Sequence, residues 1–180
     1  RHTCSLDAFS AGDSGPLARH CEGRVEFLAR PAAPPSALLS GVERRRLGER
    51  KTLPHVAIVE ALFDAPADPA LVALEGAQAA VLAAFGAGHV PESWVDRLAQ
   101  FARRHPLVLA SRTGGGPVLA ATYAYRGAEI DLLGQGLISA GWLAPAKARL
   151  ALLLLLAAGV EGDDLRARFS ELAAGPPPRR

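Results

Sequence analysis

Two apolar runs flank a helical pattern in the middle of the chain. Residues 79–85 contain no polar side chain, which is typical of a strand buried on both faces. After Pro91, at a position where a helix tolerates proline, apolar side chains recur at helical spacing (Val95, Leu98, Phe101 and Ala102). Residues 107–110 are apolar again. A strand, a helix and a second strand in this order predict a βαβ unit and hence a parallel sheet.

The same patterns predict further elements on either side of this unit. Residues 55–63 and 118–125 have the composition of strands, and residues 24–27 alternate polar and apolar side chains as a half-buried strand does. Asp68 is suited to begin a helix before Pro69. Three more helices are predicted: a short one at residues 129–133, one from Pro145 whose residues 150–156 are apolar all round and should be buried against the sheet, and an amphipathic one from Asp163.

Composition divides the chain into four segments. Residues 1–30 form an extended or hairpin segment with too few apolar residues for a core of its own. Residues 31–53 are rich in proline, glycine and charge, and we interpret them as a linker in which the basic triplet Arg44-Arg45-Arg46 is solvated. Residues 54–175 form the compact α/β domain, and residues 176–180 are expected to be a disordered tail.

The overall composition indicates one medium-sized globular domain. Of the 180 residues, 49% are apolar and 21% charged, so the chain can bury a sizeable core. A net charge of +2 is too small to indicate nucleic-acid binding, and the most apolar stretch, residues 150–159, is too short to cross a membrane. Cys4 and Cys21 lack metal-ligand spacing. We expect free thiols in a cytoplasmic protein, and a disulfide between the two is the alternative. A periplasmic or secreted location is the alternative to a cytoplasmic one. The absence of methionine suggests that the chain begins inside a longer protein.

Candidate chemistry lies at the carboxyl ends of the predicted parallel strands, where sheets of this kind bind ligands. These ends are residues 86–89 and 111–114. A catalytic triad of serine, histidine and a carboxylate is one interpretation, and ordinary capping of strands and helices is the simpler one. The side chains that such a triad would use are Ser111 or Thr113, His89, and Glu60 or Glu129.

No metal or cofactor site is predicted. The histidines are scattered without an HxH or HExxH spacing, and no GxGxxG sequence follows a strand. The glycine-rich residues 113–117 lack the lysine of a phosphate loop, and Pro117 removes a backbone donor where donors are needed. We interpret this segment as a mobile connection.

Several short motifs follow one another in a definite order. They are His2-Thr3-Cys4-Ser5-Leu6-Asp7-Ala8-Phe9, Gly15-Pro16-Leu17, Gly23-Arg24-Val25, Leu53-Pro54-His55-Val56-Ala57-Ile58-Val59, Gly86-Ala87-Gly88-His89, Ala110-Ser111-Arg112, Ser139-Ala140-Gly141 and Leu143-Ala144-Pro145-Ala146-Lys147-Ala148-Arg149. Together they resemble the carboxyl-terminal portion of bacterial L-asparaginases, the threonine-dependent amidohydrolases. The resemblance runs from the segment that closes that family's amino-terminal domain to the last helix.

The resemblance implies both a fold and a function. The fold is α/β, a flavodoxin-like parallel sheet covered by helices and preceded by an extended remnant of an amino-terminal α/β domain. The function is hydrolysis of L-asparagine to L-aspartate and ammonia, without a cofactor. Because the family's threonine nucleophile lies in the amino-terminal domain, we expect it upstream of Arg1 and predict no catalytic residue within the 180 residues. This chain alone should therefore be inactive.

The resemblance also implies two site residues. In that family an asparagine and a glutamate of the second domain help to hold the α-amino end of the substrate in the active site of a neighbouring subunit. These positions fall on His89 and Glu129, which are the predicted substrate-binding residues. The chain is accordingly expected to form homo-oligomers and to bind neither nucleic acid nor a membrane.

Other interpretations stay open at this point. The chain is alternatively a standalone, non-catalytic α/β module for binding or oligomerisation. A third candidate is an amidotransferase subunit acting on charged tRNA, which the near-neutral charge does not favour. Glu129 is alternatively an exposed glutamate in the connection between Gly127 and Gly134. His89 departs from the family pattern, since an imidazole does not present an amide's adjacent donor and acceptor.

Overall fold

The computed structural model describes residue 4, residue 11, residues 15–29 and residues 39–174, which belong to two compact units. The first unit contains a hairpin of β1 (Ala18–Cys21) and β2 (Arg24–Phe27). Its two-residue turn has a positive φ at both Glu22 (48°) and Gly23 (75°), as a type I′ turn requires. The strand predicted at 24–27 is confirmed, although all four of its side chains are exposed. Cys4 and Cys21 are free, exposed thiols, as predicted.

The second unit, residues 37–180, is an α/β domain. Its helices and strands in chain order are α1 (Gly41–Glu49), β3 (Val56–Glu60), α2 (Ala67–Ala70), β4 (Ala79–Ala84), α3 (Val95–Ala102), β5 (Leu107–Ser111), α4 (Glu129–Gly134), β6 (Ile138–Ser139), α5 (Pro145–Ala157) and α6 (Gly162–Ala173). Short 3₁₀ turns at Val72–Leu74 and Glu92–Trp94 follow α2 and precede α3.

The strands of this domain are parallel and lie side by side in chain order, β3-β4-β5-β6, which confirms the predicted parallel sheet. The connections between strands cover one face, where Leu71, Leu98 and Leu132 share one core. Helices α5 and α6 cover the other face through residues such as Leu152 and Phe169. With helices on both faces, every residue of β4 is buried, as its unbroken apolar run predicts.

Helix α1 occupies residues that were expected to be a linker. A capping box begins it: the Glu43 N–H donates to Ser40 Oγ (3.3 Å), and the Ser40 N–H donates to Glu43 Oε2 (2.7 Å). Leu39 is buried in the core formed by α5 and α6, and Arg50 donates to the carbonyl of Ala157 (2.7 Å) at the end of α5. This stretch is therefore packed against the domain, because short-range capping and a buried leucine outweigh its high charge. The domain boundaries themselves stay predictions.

Some sequence predictions concern residues that the structure leaves out. Arg1 lies outside the described residues, so the prediction that the nucleophile precedes it stays a prediction. The motif at residues 2–9, apart from Cys4, also lies outside them, and so do residues 31–38 of the predicted linker and the predicted tail at 176–180.

The prediction that α5 is buried all round is wrong for one side of the helix. Leu152 and Leu155 are fully buried, but Leu150 is 55% exposed. The helix lies against the sheet and contacts α1 and α6, and these neighbours leave one strip of its surface facing outward. An apolar sequence alone does not show that a neighbour is missing on one side.

Two further local predictions are corrected by the structure. Residues 118–125, which have strand composition, form an irregular segment whose N–H groups bond to other loops: Val118 donates to Gly141 O and Leu119 to Ala87 O, both at 2.9 Å. The segment thus connects loops at the carboxyl edge of the sheet instead of adding a strand. Asp68 lies inside α2, whose N-cap is Pro66.

Candidate functional site

Two loops meet at the carboxyl edge of the sheet. The loop after β4 turns back tightly, since the Phe85 N–H donates to His89 O and the His89 N–H donates to Phe85 O, both at 2.9 Å. Gly88 makes this turn possible at a φ of 121°, where a Cβ atom would lie 3.1 Å from Val118 and 3.2 Å from Leu109. The turn places His89 beside the second loop, which runs from β5 to α4.

Glu129, at the start of α4, is completely buried. Its Oε1 accepts hydrogen bonds from the backbone N–H groups of Tyr123 (2.7 Å) and Thr122 (3.0 Å), and its Oε2 lies 3.1 Å from His89 Nε2. Burial raises the pKa of this carboxyl, but the backbone and imidazole hydrogen bonds outweigh burial and hold the pKa below its usual value. Glu129 is therefore a buried carboxylate, in contrast to the exposed glutamate of the alternative interpretation.

His89 is held between Glu129 and Tyr125. Because an ionised carboxylate only accepts hydrogen bonds, His89 Nε2 donates to Glu129. On the other side of the ring, His89 Nδ1 lies 2.9 Å from the hydroxyl oxygen of Tyr125, within hydrogen-bonding distance. Tyr123 packs edge-on against the same ring at a centroid distance of 4.9 Å. The result is a chain of hydrogen bonds that joins Tyr125, His89 and Glu129.

The sequence therefore predicted two of the residues of this site and missed two. His89 and Glu129 lie in hydrogen-bonding contact although 40 positions separate them, while their role as substrate ligands stays a prediction. Tyr123 and Tyr125 were assigned to a strand. A usable signal was present: they are the only tyrosines in the 180-residue sequence, and the first of them stands 6 residues before Glu129.

Ser111 does not pair with His89 as a catalytic triad requires. Ser111 Oγ donates to Gly86 O (2.6 Å), accepts from the Thr113 N–H (3.2 Å) and lies 2.7 Å from Thr113 Oγ1. Both ring nitrogens of His89 are engaged by other side chains. The arrangement matches the simpler interpretation, in which Ser111 closes the end of a strand.

Glu60 lies apart from this chain of hydrogen bonds, on the edge strand β3. Its side chain is 58% exposed and approaches Arg112 at 3.5 Å. The Arg112 guanidinium in turn lies 5.1 Å above the ring of Phe85, which stacks on Phe63. Glu60 thus anchors a surface cluster and does not orient His89.

The other features of the described residues lie apart from His89 and Glu129 and do not add to this site. Within residues 15–29 and 39–174, no group of three or more histidine, cysteine, aspartate or glutamate side chains is placed to hold a metal ion. A cavity of about 320 Å³ lies at the other end of the sheet, beside Leu71, Phe101 and Arg104, and includes neither His89 nor Glu129. No helix in the described part of the chain has the length and apolar character needed to cross a bilayer.

Comparison with known proteins identifies the domain. A family model, the glutaminase/asparaginase C-terminal domain, matches residues 55–169. The chain is 35% identical over 173 residues to a "Probable L-asparaginase" of Deinococcus radiodurans, and the matched region covers 94% of this chain and 50% of that relative. It is 36% identical over 107 residues to a "Probable L-asparaginase periplasmic" of Haemophilus influenzae, and the matched region covers 58% of this chain and 29% of that relative. The chain thus spans half or less of these curated relatives, and the predicted resemblance to the carboxyl-terminal part of L-asparaginases is confirmed.

Proposed function

The chain belongs to the glutaminase/asparaginase family, and we propose that it is the carboxyl-terminal part of an enzyme that hydrolyses L-asparagine to L-aspartate and ammonia. The observation that carries the proposal is the buried, ionised Glu129 joined to His89 at the carboxyl edge of the sheet. A fixed negative charge at this edge suits the positively charged α-ammonium group of an amino acid.

The hydroxyl groups described at this edge of the sheet are not arranged as nucleophiles. Ser111 and Thr113 bond to each other and to backbone groups, so neither has a general base beside it. As the resemblance to the family implies, we assign the attack on the side-chain amide to a threonine of the amino-terminal domain, upstream of Arg1. That threonine oxygen bonds to the carbonyl carbon, ammonia leaves, and water then hydrolyses the ester to give aspartate. His89 and Glu129 would hold the amino end of the substrate, in the active site of a neighbouring subunit of a homo-oligomer.

Ammonia release from L-asparagine tests the proposal. We expect the full-length natural protein that contains this chain to be active and the 180-residue chain to be inactive. Glu129→Gln should raise the KM for asparagine roughly tenfold or more, because a hydrogen bond to a charged group contributes about 1.5–3 kcal/mol. Glu49→Gln, at an exposed position of α1, is the matched control and should leave KM unchanged.

Three results would contradict parts of this proposal. A full-length protein without asparaginase activity would favour the non-catalytic binding or oligomerisation module. Activity in the 180-residue chain would refute the assignment of the nucleophile to the amino-terminal domain. An unchanged KM in Glu129→Gln would exclude Glu129 from substrate binding. The cytoplasmic location stays a prediction, and one relative carries "periplasmic" in its name.

A further inference from the structure

We propose that a cavity at the amino edge of the sheet binds a small organic monocarboxylate whose remaining atoms are apolar. The cavity has a volume of about 320 Å³, at the lower end of the range of small-molecule sites. It lies between the connection from β3 to β4 and the end of α3, and it is therefore separate from His89 and Glu129 at the carboxyl edge. This binding site is independent of the proposed function.

Two segments of the chain give the cavity apolar walls. Leu74, from the connection between β3 and β4, and Phe101, from α3, are partly buried against the core that contains Leu71. The ring of His105 packs on Phe101 with a centroid distance of 5.0 Å. These side chains can remove the hydrocarbon part of a ligand from water, which favours its binding.

Polar contacts hold both sides of the cavity in place. Arg97 of α3 forms an ion pair with Asp68 of α2. On the other side, Gln78 Oε1 accepts a hydrogen bond from the His55 N–H (3.0 Å). Because these contacts join residues of the domain itself, the cavity is formed before a ligand enters, and binding does not have to order its walls.

The polar groups of the cavity are mainly hydrogen-bond donors. Since a backbone N–H can only donate, the Gln78 atom that bonds to His55 is the carbonyl oxygen, and the NH₂ group of Gln78 has no partner among the described residues. Arg104 also lines the cavity, and no carboxylate in the described part of the chain lies within ion-pair distance of its guanidinium group. A guanidinium and an amide NH₂ group present the N–H donors that suit the two oxygens of a carboxylate.

Glu75 limits the charge of the ligand. It is the one acidic side chain among the described residues that line the cavity. A neutral ligand would leave Arg104 without a counter-charge, whereas a dianion such as a phosphate ester would be repelled by Glu75. A single carboxylate satisfies Arg104 and adds no second negative charge.

Calorimetric titration of the full-length natural protein with 3-phenylpropanoate tests the proposal. This probe joins one carboxylate to a phenyl ring, and we expect it to bind with a Kd of about 1 mM or tighter. The amide 3-phenylpropanamide has nearly the same shape but no charge. It should bind at least about tenfold more weakly, because hydrogen bonds between charged partners are the stronger ones.

Three variants that each remove one charge identify the site. Arg104→Gln should raise the Kd of 3-phenylpropanoate about tenfold or more, to that of the amide. Glu75→Gln removes the opposite charge and should leave this Kd unchanged or lower it. Arg103→Gln is the matched control, since Arg103 is also exposed but does not line the cavity, and it should change the Kd less than about twofold.

A crystal structure with the para-bromo derivative of the probe locates the ligand. The anomalous signal of bromine should place the ring beside Phe101, with the carboxylate within hydrogen-bonding distance of Arg104. A bromine beside His89 would overturn the proposal. So would a wild type without saturable binding, equal affinities for the acid and the amide, or equal losses in Arg103→Gln and Arg104→Gln. These results do not depend on ammonia release, so this proposal and the proposed function can fail separately.

Discussion

Gly127 fastens the loop that carries His89 to the start of α4, and replacing it by alanine should open the site. Its carbonyl accepts from the Val90 N–H (2.9 Å), and its N–H donates to Asp131 Oδ2 (2.8 Å). Its φ is +89°, and a Cβ atom would lie 2.7 Å from the carbonyl oxygen of Val90. Gly127→Ala therefore adds two costs: an unfavourable backbone conformation and a clash with a backbone atom of the neighbouring loop.

The size of each cost follows from the geometry. A left-handed conformation costs a non-glycine residue about 1–2 kcal/mol. Relieving the clash requires a displacement of about 0.7 Å, from 2.7 Å to the 3.4 Å of an ordinary contact. Overpacking of this kind costs about 1–3 kcal/mol, so the total loss of unfolding free energy should be about 2–5 kcal/mol. A shift of that size in the His89 loop would stretch its 3.1 Å contact with Glu129 beyond hydrogen-bond length.

Gly136→Ala is the matched control for the backbone cost. Gly136 follows α4 with a nearly equal φ of +97°, and a Cβ atom added there would meet nothing within 4 Å. It should lose only about 1–2 kcal/mol. Urea unfolding curves give the two free energies, and the KM for asparagine reports the site. Equal losses of stability in the two variants, or an unchanged KM in Gly127→Ala, would refute the reasoning.

Three further predictions concern stability alone. Leu152→Ala should lower the free energy of unfolding by about 2–5 kcal/mol, because it leaves a cavity in the core. Leu150 is 55% exposed on the same helix, so Leu150→Ala should lower it by less than about 0.5 kcal/mol. Equal shifts in the urea midpoint of the two variants would contradict this. The folded-state pKa of Glu129 is lowered from 4.5, so its contribution to the free energy of unfolding is fully present above about pH 4.5 and is lost as the pH falls through the folded-state pKa. The thermal midpoint of the wild type should therefore fall more on acidification than that of Glu129→Gln. Parallel curves of midpoint against pH would exclude this contribution. Ser40→Ala removes the N-cap of α1 and should cost about 0.5–2 kcal/mol by chemical denaturation, while Ser40→Asp, which keeps an acceptor, should retain most of the stability.

The sequence by itself determined the sheet and the family. Residues 79–85 and 107–110 are apolar without interruption because both faces of the sheet are covered, and the helical spacing between them leaves one arrangement for the connection. Pro145 marks the start of α5 because proline suits the first turn of a helix. These features depend on neighbours within a few positions, so a local pattern expresses them.

Only the tertiary structure decided what surrounds the site residues. That Glu129 is buried depends on the backbone N–H groups of Thr122 and Tyr123, which local composition assigned to a strand. That Leu150 is exposed and Leu152 buried depends on which sides of α5 have neighbours. The meeting of His89 with Glu129 and Tyr125 depends on two loops that the parallel sheet brings to one edge. Hydrogen bonds between distant residues leave no periodic trace in a sequence, and so the contacts that join Tyr125, His89 and Glu129 became visible only in the folded molecule.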